Sequence, residues 1–449
     1  MAKKAIKKTA TKSGGLSSMQ AFREHVLAID GKNSTVVGDK TFVSIAIPIP
    51  LAFQYFLDIT GLPVGLVYQL TGNTDSRKTT FAFEVMRWVG KLGGSAELVL
   101  TEGKFSDSLA KAFCGYPGEE DYTPVVPREL RNMQEWQIHI NNYLDACVTA
   151  MEKGFTDRTG KKHPPGIEMP IGIVVDSVVA QLTESQTNKI SSEGGSDRGF
   201  AVHVKSLGDW IAVLQAKITC RPFVMLLINH ISEEQVSMFE KEIKQKGGRR
   251  IGYESSLILL LSSSKESITV VDKPGYAPEE SDTLLTFKLS KSSMGVSRRV
   301  LKVRLHTQHE IVGPGEARQR NQFLWGESLV EILKSHMYAA DNSIRLTKSH
   351  ELVSSRKLYR ERILAVTDFR EVKGGFTCEK YTNSATEVLT AQALGEFLEA
   401  DAEFVALFRE LFAIKHYAMW PRGEDFYKVL ARERASITAN RTKIPVKKG

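Results

Sequence analysis

Five short, uninterrupted apolar runs, separated by longer amphipathic segments, constrain the fold of this 449-residue chain more than any other feature. The runs are rich in β-branched side chains and cover residues 65–70, 96–100, 171–176, 222–229 and 256–261. Such runs are typical of strands buried on both faces, as in a parallel sheet covered by helices. The intervening segments 79–92 and 200–217 supply helices of that kind. The sequence therefore predicts an α/β fold with a central, mostly parallel sheet flanked by helices.

The length of the chain predicts more than one structural unit, because single cores rarely grow beyond about 250–300 residues. Residues 1–18 are basic and poor in apolar side chains, which is typical of a disordered tail. Residues 19–60 begin with a helical pattern and form a predicted N-terminal segment, and residues 61–325 hold the strand pattern. Strand signals then fade, so residues 326–449 are predicted to form a helical C-terminal domain with a second basic tail.

The charge of the chain restricts its partners. Its formal net charge is +8, which favours an anionic partner, and nucleic acid is the usual one. No apolar run approaches the roughly 18 residues that a membrane span requires. We therefore expect an intracellular protein that does not associate with membranes.

One loop matches a phosphate-binding pattern. Residues 72–79 follow G-x-x-x-x-G-K-[ST], except that Arg77 replaces the second glycine. In such loops, successive backbone N–H groups at a helix N-terminus bind phosphate. Lys78 supplies a charge for the β- and γ-phosphates, and Thr79 supplies a hydroxyl ligand for Mg²⁺. The predicted ATP-binding residues are Gly72, Asn73, Thr74, Asp75, Ser76, Arg77, Lys78, Thr79 and Thr80. A chance match on a surface loop is the alternative.

Two acidic residues follow other strand patterns. Asp176 ends the run 171–176, at the carboxyl edge where ligands bind in open α/β sheets. There its carboxylate can organise Mg²⁺ together with Thr79. Glu102 follows the run 96–100 and is placed to deprotonate an attacking water. An ordinary solvated carboxylate at a strand end is the alternative for both residues.

Several segments together resemble the RecA family of recombinases over roughly residues 42–325. The segments are GLPVGLVYQLTG (61–72), LTEGKF (100–105), IVVDSVVAQL (173–182), LLINHIS (226–232) and GGRRIGYESSLILLL (247–261). Arg77 and the long insert before Asp176 are similar to features of tailed-phage recombinases of the UvsX type. The resemblance implies a RecA-like P-loop ATPase core that uses ATP and Mg²⁺.

The resemblance also implies catalytic roles for Lys78, Glu102 and His230, the last at the position of a γ-phosphate-sensing glutamine. The basic segment 297–306 is similar to a strand that reaches the ATP of the neighbouring subunit in RecA. Lys302 and Arg304 lie two residues apart and hence on one face of this strand. They are our candidates for catalytic groups that act in trans. A surface strand with two ordinary cations is the alternative.

By the same resemblance, two DNA-binding loops lie near residues 183–199 and 231–249. The candidate DNA contacts are Lys189, Arg198, Val236, Met238, Phe239, Lys244, Lys246, Arg249 and Arg250. Because the second loop also carries four glutamates, we favour Arg198, Arg249 and Arg250 for phosphate contacts. An exposed loop with solvated charges is the alternative.

The function implied by the resemblance is that of a DNA-dependent ATPase in homologous recombination and DNA repair. Such a protein forms filaments on single-stranded DNA and exchanges strands with a duplex, and the segment 19–60 would link its subunits. Further implied partners are single-strand-binding and loader proteins. The expected location is the cytoplasm or nucleoid of a bacterial host, with a phage gene as the source. The alternatives are a RecA-fold filament that coats DNA with weak hydrolysis, which Arg77 and His230 favour, and a hexameric DnaB-type helicase motor.

Overall fold

A ten-stranded sheet organises the part of the chain that the structure describes. This computed structural model describes residues 46–90, 92, 94–101, 122–125, 132–156, 160–165, 170–180, 183, 200–219, 221–235, 241–245, 248–270, 276–294, 300–313, 316–338, 360–382 and 387–414. The strands are β1 (Ala46–Pro48), β2 (Gly61–Pro63), β3 (Leu66–Gly72), β4 (Ser95–Leu100), β5 (Tyr122–Val125), β6 (Phe155–Thr156), β7 (Lys162–His163), β8 (Ile171–Asp176), β9 (Phe223–Gln235), β10 (Lys241–Gln245), β11 (Leu257–Val270), β12 (Tyr276–Ser292), β13 (Val300–Gly313), β14 (Glu316–Phe323), β15 (Arg370–Val372) and β16 (Gly375–Thr377). The helices are α1 (Leu51–Leu57), α2 (Lys78–Gly90), α3 (Met133–Lys153), α4 (Phe200–Ile218), α5 (Arg249–Glu254), α6 (Trp325–Tyr338), α7 (Ala391–Ala400) and α8 (Ala402–Leu411).

The strand order of this sheet is β14-β13-β12-β11-β3-β9-β8-β4-β5, and β10 also pairs with β9. All neighbours from β11 to β5 are parallel, whereas β12, β13 and β14 add an antiparallel extension beside β11. The predicted α/β fold with a mostly parallel sheet flanked by helices is therefore confirmed. The antiparallel strands β11 and β12 extend well beyond the predicted apolar runs. Their outer halves carry polar residues, so the sequence shows no apolar pattern that would predict them as strands.

Both faces of β3, β4 and β8 are buried, as their apolar runs predict. Side chains alternate between two cores along each strand. Val67, Ile173 and Met225 pack in one core with residues of α3 and α4. Tyr68 and Val174 pack in the other core with residues of α1, α2 and α6. Helices therefore cover the sheet on both sides, and the carboxyl ends of the strands are left as a common edge.

Aromatic packing joins the first described helix to the sheet. The ring of Phe53 in α1 lies 5.5 Å from that of Phe81, 5.8 Å from Trp88, 5.9 Å from Phe287 and 5.6 Å from Trp325. Phe53 thus shares a core with residues beyond the predicted boundary at 60, and the same core includes Leu329 and Leu333 from beyond the boundary at 325. The boundaries themselves remain predictions.

Part of the predicted helical C-terminal domain consists of the two short helices α7 and α8. The carboxylate of Asp401 accepts hydrogen bonds from the backbone N–H groups of Glu403 (3.0 Å) and Phe404 (3.3 Å), and so caps the N-terminus of α8. The predicted basic tail 1–18 and the predicted helix 19–30 lie outside the described residues. Within the described ranges, no helix combines the length and the apolar character that crossing a bilayer requires.

The segment assigned to the second DNA loop contains more regular structure than its sequence indicates. Strand β9 continues to Gln235 and pairs with β10, so that Ser232 lies opposite Lys244 and Gln235 opposite Lys241. The assignment of 231–249 to DNA binding stays a prediction, and this part of the segment forms a β-hairpin. The segment lacks the alternating apolar residues that mark a half-buried strand, and backbone pairing needs no such pattern.

Candidate nucleotide-binding site

The loop between β3 and α2 begins at a position where only glycine fits. Gly72 ends β3, and a Cβ atom there would collide with the backbone carbonyl oxygen of Leu261 in the neighbouring strand β11. The same strand supports the loop further along, because the Ser263 hydroxyl donates a 2.9 Å hydrogen bond to the carbonyl oxygen of Asp75. Contacts with β11 thus fix both the start and the middle of the loop.

Two non-glycine residues of this loop have left-handed backbone conformations. Asp75 and Arg77 both have a φ of 63°. Arg77 therefore keeps the conformation that the missing glycine of the motif would favour. Its carbonyl oxygen accepts a 3.0 Å hydrogen bond from the N–H of Phe81, within the first turn of α2. The substitution changes the side chain but preserves a concave loop that is suited to anions.

Lys78 is the first residue of α2, and its side chain folds back over the loop. Its ammonium donates hydrogen bonds to the carbonyl oxygens of Gly72 (3.1 Å) and Asn73 (2.7 Å) and to the hydroxyl of Ser76 (3.3 Å). The side chain is 6% exposed. A buried cation at a helix N-terminus provides both the charge and the N–H groups for binding a phosphate.

Asp176 meets the loop from the end of β8. Its Oδ2 atom accepts a 2.5 Å hydrogen bond from the hydroxyl of Thr79. These two oxygen ligands, with phosphate oxygens and water, suit Mg²⁺, which rarely takes an all-protein cage. The residues present thus fit ATP with Mg²⁺.

The strand next to β8, β4, brings Thr101 to the same edge. The N–H of Thr101 donates a 2.7 Å hydrogen bond to the carbonyl oxygen of Asp176, and its hydroxyl donates one of 2.6 Å to that of Ser177. Glu102 follows directly but lies outside the described residues. On the other side, His230 in β9 is the register partner of Gly72, which brings its backbone next to the loop. Its N–H donates a 2.8 Å hydrogen bond to the side chain of Asn229.

Lys302 and Arg304 lie on one face of β13, opposite the buried Leu301, Val303 and Leu305. Lys302 is exposed, and none of the ion pairs between described side chains involves it. Arg304 instead forms ion pairs within its own chain. Sequence reasoning missed these partners, and it also missed Ser263, because no local pattern marks a contact between distant segments.

The structure places few of the candidate DNA contacts. Outside the described residues lie Lys189, Arg198, Val236, Met238, Phe239 and Lys246. For Lys244 in β10 and Arg249 in α5 it describes only the backbone. Arg250 is exposed, and its Nη1 atom lies 2.7 Å from a carboxylate oxygen of Asp209 in α4. A DNA phosphate would have to compete with this carboxylate for the guanidinium.

Several curated proteins are similar in sequence to this chain. Protein RecA of Ureaplasma parvum serovar 3 is 24% identical over 199 residues, which cover 44% of this chain and 51% of that protein. Protein RecA of Clostridium novyi is 24% identical over 255 residues, or 57% and 60%. Protein RecA of Heliobacterium modesticaldum is 23% identical over 254 residues, or 55% and 65%.

Each of these matches spans less than two thirds of the relative's own length. No protein-family profile matches the chain. The fold, the phosphate loop and these similarities together support a relationship of the chain to the RecA family of recombination proteins.

Proposed function

We propose that the chain is an ATP-dependent recombination protein that forms filaments on single-stranded DNA and catalyses homologous pairing and strand exchange. The observation that carries this proposal is the joint position of Lys78, Thr79 and Asp176 at the carboxyl edge of a mostly parallel sheet. A site built this way binds a nucleoside triphosphate with its metal. The similarity to RecA proteins supports recombination as the process that this ATPase serves.

Each residue of the site would have a distinct role. Lys78 would bind the β- and γ-phosphates, while Thr79 and Asp176 would hold Mg²⁺, which neutralises charge on the phosphates. Glu102 would take a proton from the attacking water, since Thr101 is anchored beside Asp176. His230 would donate a hydrogen bond toward the γ-phosphate from the strand next to the loop.

DNA and further copies of the chain complete the proposed machinery. The loops near 183–199 and 231–249 would bind single-stranded DNA and later the duplex, with cations on phosphates and apolar groups on bases. Lys302 and Arg304 would reach the nucleotide of the next subunit. We also propose single-strand-binding and loader proteins as partners. The proposed location is the cytoplasm or nucleoid of a bacterial host, and the proposed source is a phage gene of the UvsX type.

The weak-hydrolysis alternative rests on Arg77 and His230, and a ring-shaped motor would use the same core.

We would measure ATP hydrolysis with and without single-stranded DNA for the parent, Lys78→Ala and Glu102→Gln. We expect DNA to stimulate the parent, Lys78→Ala to lose nucleotide binding, and Glu102→Gln to bind ATP while losing most hydrolysis. The exposed Lys288 in β12 offers a control, and Lys288→Ala should match the parent.

Two results would contradict the proposal. Nucleotide binding without DNA-stimulated hydrolysis in the parent would favour the DNA-coating filament. Rings instead of filaments in negative-stain microscopy, with DNA and an ATP analogue, would favour the helicase-type motor.

A further inference from the structure

The Arg304 guanidinium is held by two acidic side chains of its own subunit. Its Nη1 atom lies 2.7 Å from Oε2 of Glu327, and its Nε atom lies 3.9 Å from Oδ2 of Asp282. The contact with Glu327 is a charge-assisted hydrogen bond, whereas the longer one to Asp282 is electrostatic. Asp282 is also the partner of His306, whose Nδ1 lies 2.8 Å from its other oxygen. Of these two carboxylates, that of Glu327 therefore constrains the direction of the Arg304 side chain more strongly.

The helix that carries Glu327 is packed firmly within its own subunit. Glu327 lies in the first turn of α6, which packs into the core through Leu329 and Leu333. Its own N–H donates a 3.2 Å hydrogen bond to the side chain of Gln392 in α7. A carboxylate on such a packed element has little freedom to follow a moving guanidinium.

Hydrogen bonds on both sides of Glu327 connect this turn to the backbone of β13. The N–H of Leu324 donates a 2.8 Å hydrogen bond to the carbonyl oxygen of Arg304. The hydroxyl of Ser328 donates one of 2.9 Å to the carbonyl oxygen of Lys302. The start of α6 is thus hydrogen-bonded to the backbone of both cations that we assign to the trans site.

An arginine can be anchored and still act on a second anion. Its guanidinium carries five N–H donors in a rigid fork, and the short contact to Glu327 is made by the Nη1 end. A group with this many donors can contact more than one anion. A lysine ammonium is a compact point charge and needs no such orientation, which agrees with the exposed Lys302 beside it.

We propose that Glu327 is a positioning residue that orients Arg304 toward the γ-phosphate held by the neighbouring subunit. The inference rests on the proposed function, because it requires a nucleotide between subunits. Glu327 touches neither nucleotide nor water in this scheme and acts only through Arg304. Removing its charge while keeping its size should leave the fold intact and misdirect the guanidinium.

The test compares Glu327→Gln, Arg304→Ala and the double variant in DNA-stimulated ATP hydrolysis. Because small misplacements of a catalytic group are costly, Glu327→Gln should lower kcat by roughly tenfold, with the KM for ATP nearly unchanged. Arg304→Ala should lower kcat at least as far, and adding Glu327→Gln to it should cause no further loss. Glu371→Gln is the matched control, since Glu371 pairs at 2.9 Å with Lys334 of the same helix α6. It should match the parent.

Mixing variants adds a readout that general damage to the fold would not produce. Glu327→Gln protein mixed with Glu102→Gln protein should recover activity, to about one quarter of the parental rate if subunits mix randomly, because that fraction of interfaces keeps both groups. Glu327→Gln mixed with Arg304→Ala should recover nothing, because both changes damage the same side of the interface.

The outcomes separate the inference from the function on which it rests. Full activity of Arg304→Ala would remove the trans role of Arg304 and the inference with it. An inactive Arg304→Ala with a fully active Glu327→Gln would overturn the positioning role alone. Losses that add in the double variant would also overturn it, as they would assign Glu327 an effect independent of Arg304.

Discussion

The hydroxyl of Thr79 donates a 2.5 Å hydrogen bond to the carboxylate of Asp176, which joins the start of helix α2 to the end of strand β8. The two residues are 97 positions apart in the sequence. Their contact turns two separate motifs into one oxygen-rich site beside the Lys78 ammonium. A substitution of either side chain therefore also changes the hydrogen bonding of the other.

Removing the Thr79 hydroxyl should weaken the metal site without changing side-chain volume. We expect Thr79→Val to raise the Mg²⁺ concentration needed for half-maximal ATP hydrolysis by about 10–100-fold, the usual effect of losing a group at a metal site. Thr79→Ser keeps the hydroxyl and should remain near the parent. A Mg²⁺ titration of hydrolysis measures the effect, and identical titrations for Val and parent would exclude Thr79 as a ligand.

Arg77 should tolerate glycine but not a β-branched residue. Its φ of 63° is open to glycine, but for valine this backbone region is a genuine outlier. Relief of strain in Arg77→Gly is offset by greater freedom of the unfolded chain, so its free energy of unfolding should change by less than about 1 kcal/mol. Arg77→Val should lose about 1–3 kcal/mol.

Chemical unfolding and nucleotide-affinity measurements on both Arg77 variants test this expectation. Arg77→Gly should bind nucleotide at least as well as the parent. Equal stability of the glycine and valine variants would show that the left-handed conformation carries no strain.

Arg249 and Arg250 are expected to contact DNA phosphates. Replacing both with alanine should weaken single-stranded DNA binding for all sequences and reduce the salt slope by about 1 for each lost contact. Asp209→Asn should have the opposite effect, because it releases Arg250 from its 2.7 Å ion pair. Binding isotherms at several salt concentrations provide the comparison. An unchanged slope in the double variant would move the DNA site elsewhere.

Asp401 should make the C-terminal helices sensitive to acid. Burial alone would raise the pKa of Asp401, but hydrogen bonds from Lys380, Tyr381 and the N–H of Phe404 lower it to about 2. The pKa of the folded state is thus below the unfolded value, so the stabilisation is complete above about pH 4 and is lost as the pH falls toward 2.

Two variants separate the charge of Asp401 from its capping role. Asp401→Asn keeps an N-cap acceptor and should show a smaller loss of unfolding free energy between pH 4 and 2 than the parent. Asp401→Ala also removes the cap and should lower the unfolding free energy at pH 7 by about 1–2 kcal/mol. Parallel pH profiles for the parent and Asp401→Asn would contradict the assignment.

The sequence predicts those parts of this molecule that local patterns determine. The run ending at Asp176 coincides with β8, because a strand buried on both faces needs an unbroken apolar stretch. The pairing of Thr79 with Asp176 follows once both motifs are placed at one sheet edge. The hairpin of β9 and β10 has no such pattern, since its backbone pairing imposes no choice of side chains.

The sequence does not predict contacts between segments that are far apart in the chain. The ion pair of Arg304 with Glu327 and the hydrogen bond of Ser263 to Asp75 join residues on different elements. Neither depends on a periodicity or a motif. The left-handed conformation of Arg77 was equally hidden, because an arginine in a sequence favours no such backbone.

The antiparallel extension sets the distance between the phosphate loop and Arg304 within one subunit. Ser264 in β11 lies opposite Leu284 in β12, and Leu284 lies opposite Arg304 in β13. With neighbouring strands about 4.8 Å apart, this row spans roughly 10 Å. It starts beside Ser263, which bonds the phosphate loop. In the proposed filament, the nucleotide that a subunit holds and the cation that it offers to the next subunit would thus be two strands apart on this row. Each ATP site would be connected through these strands to the next one on one side only, which would give the filament a direction.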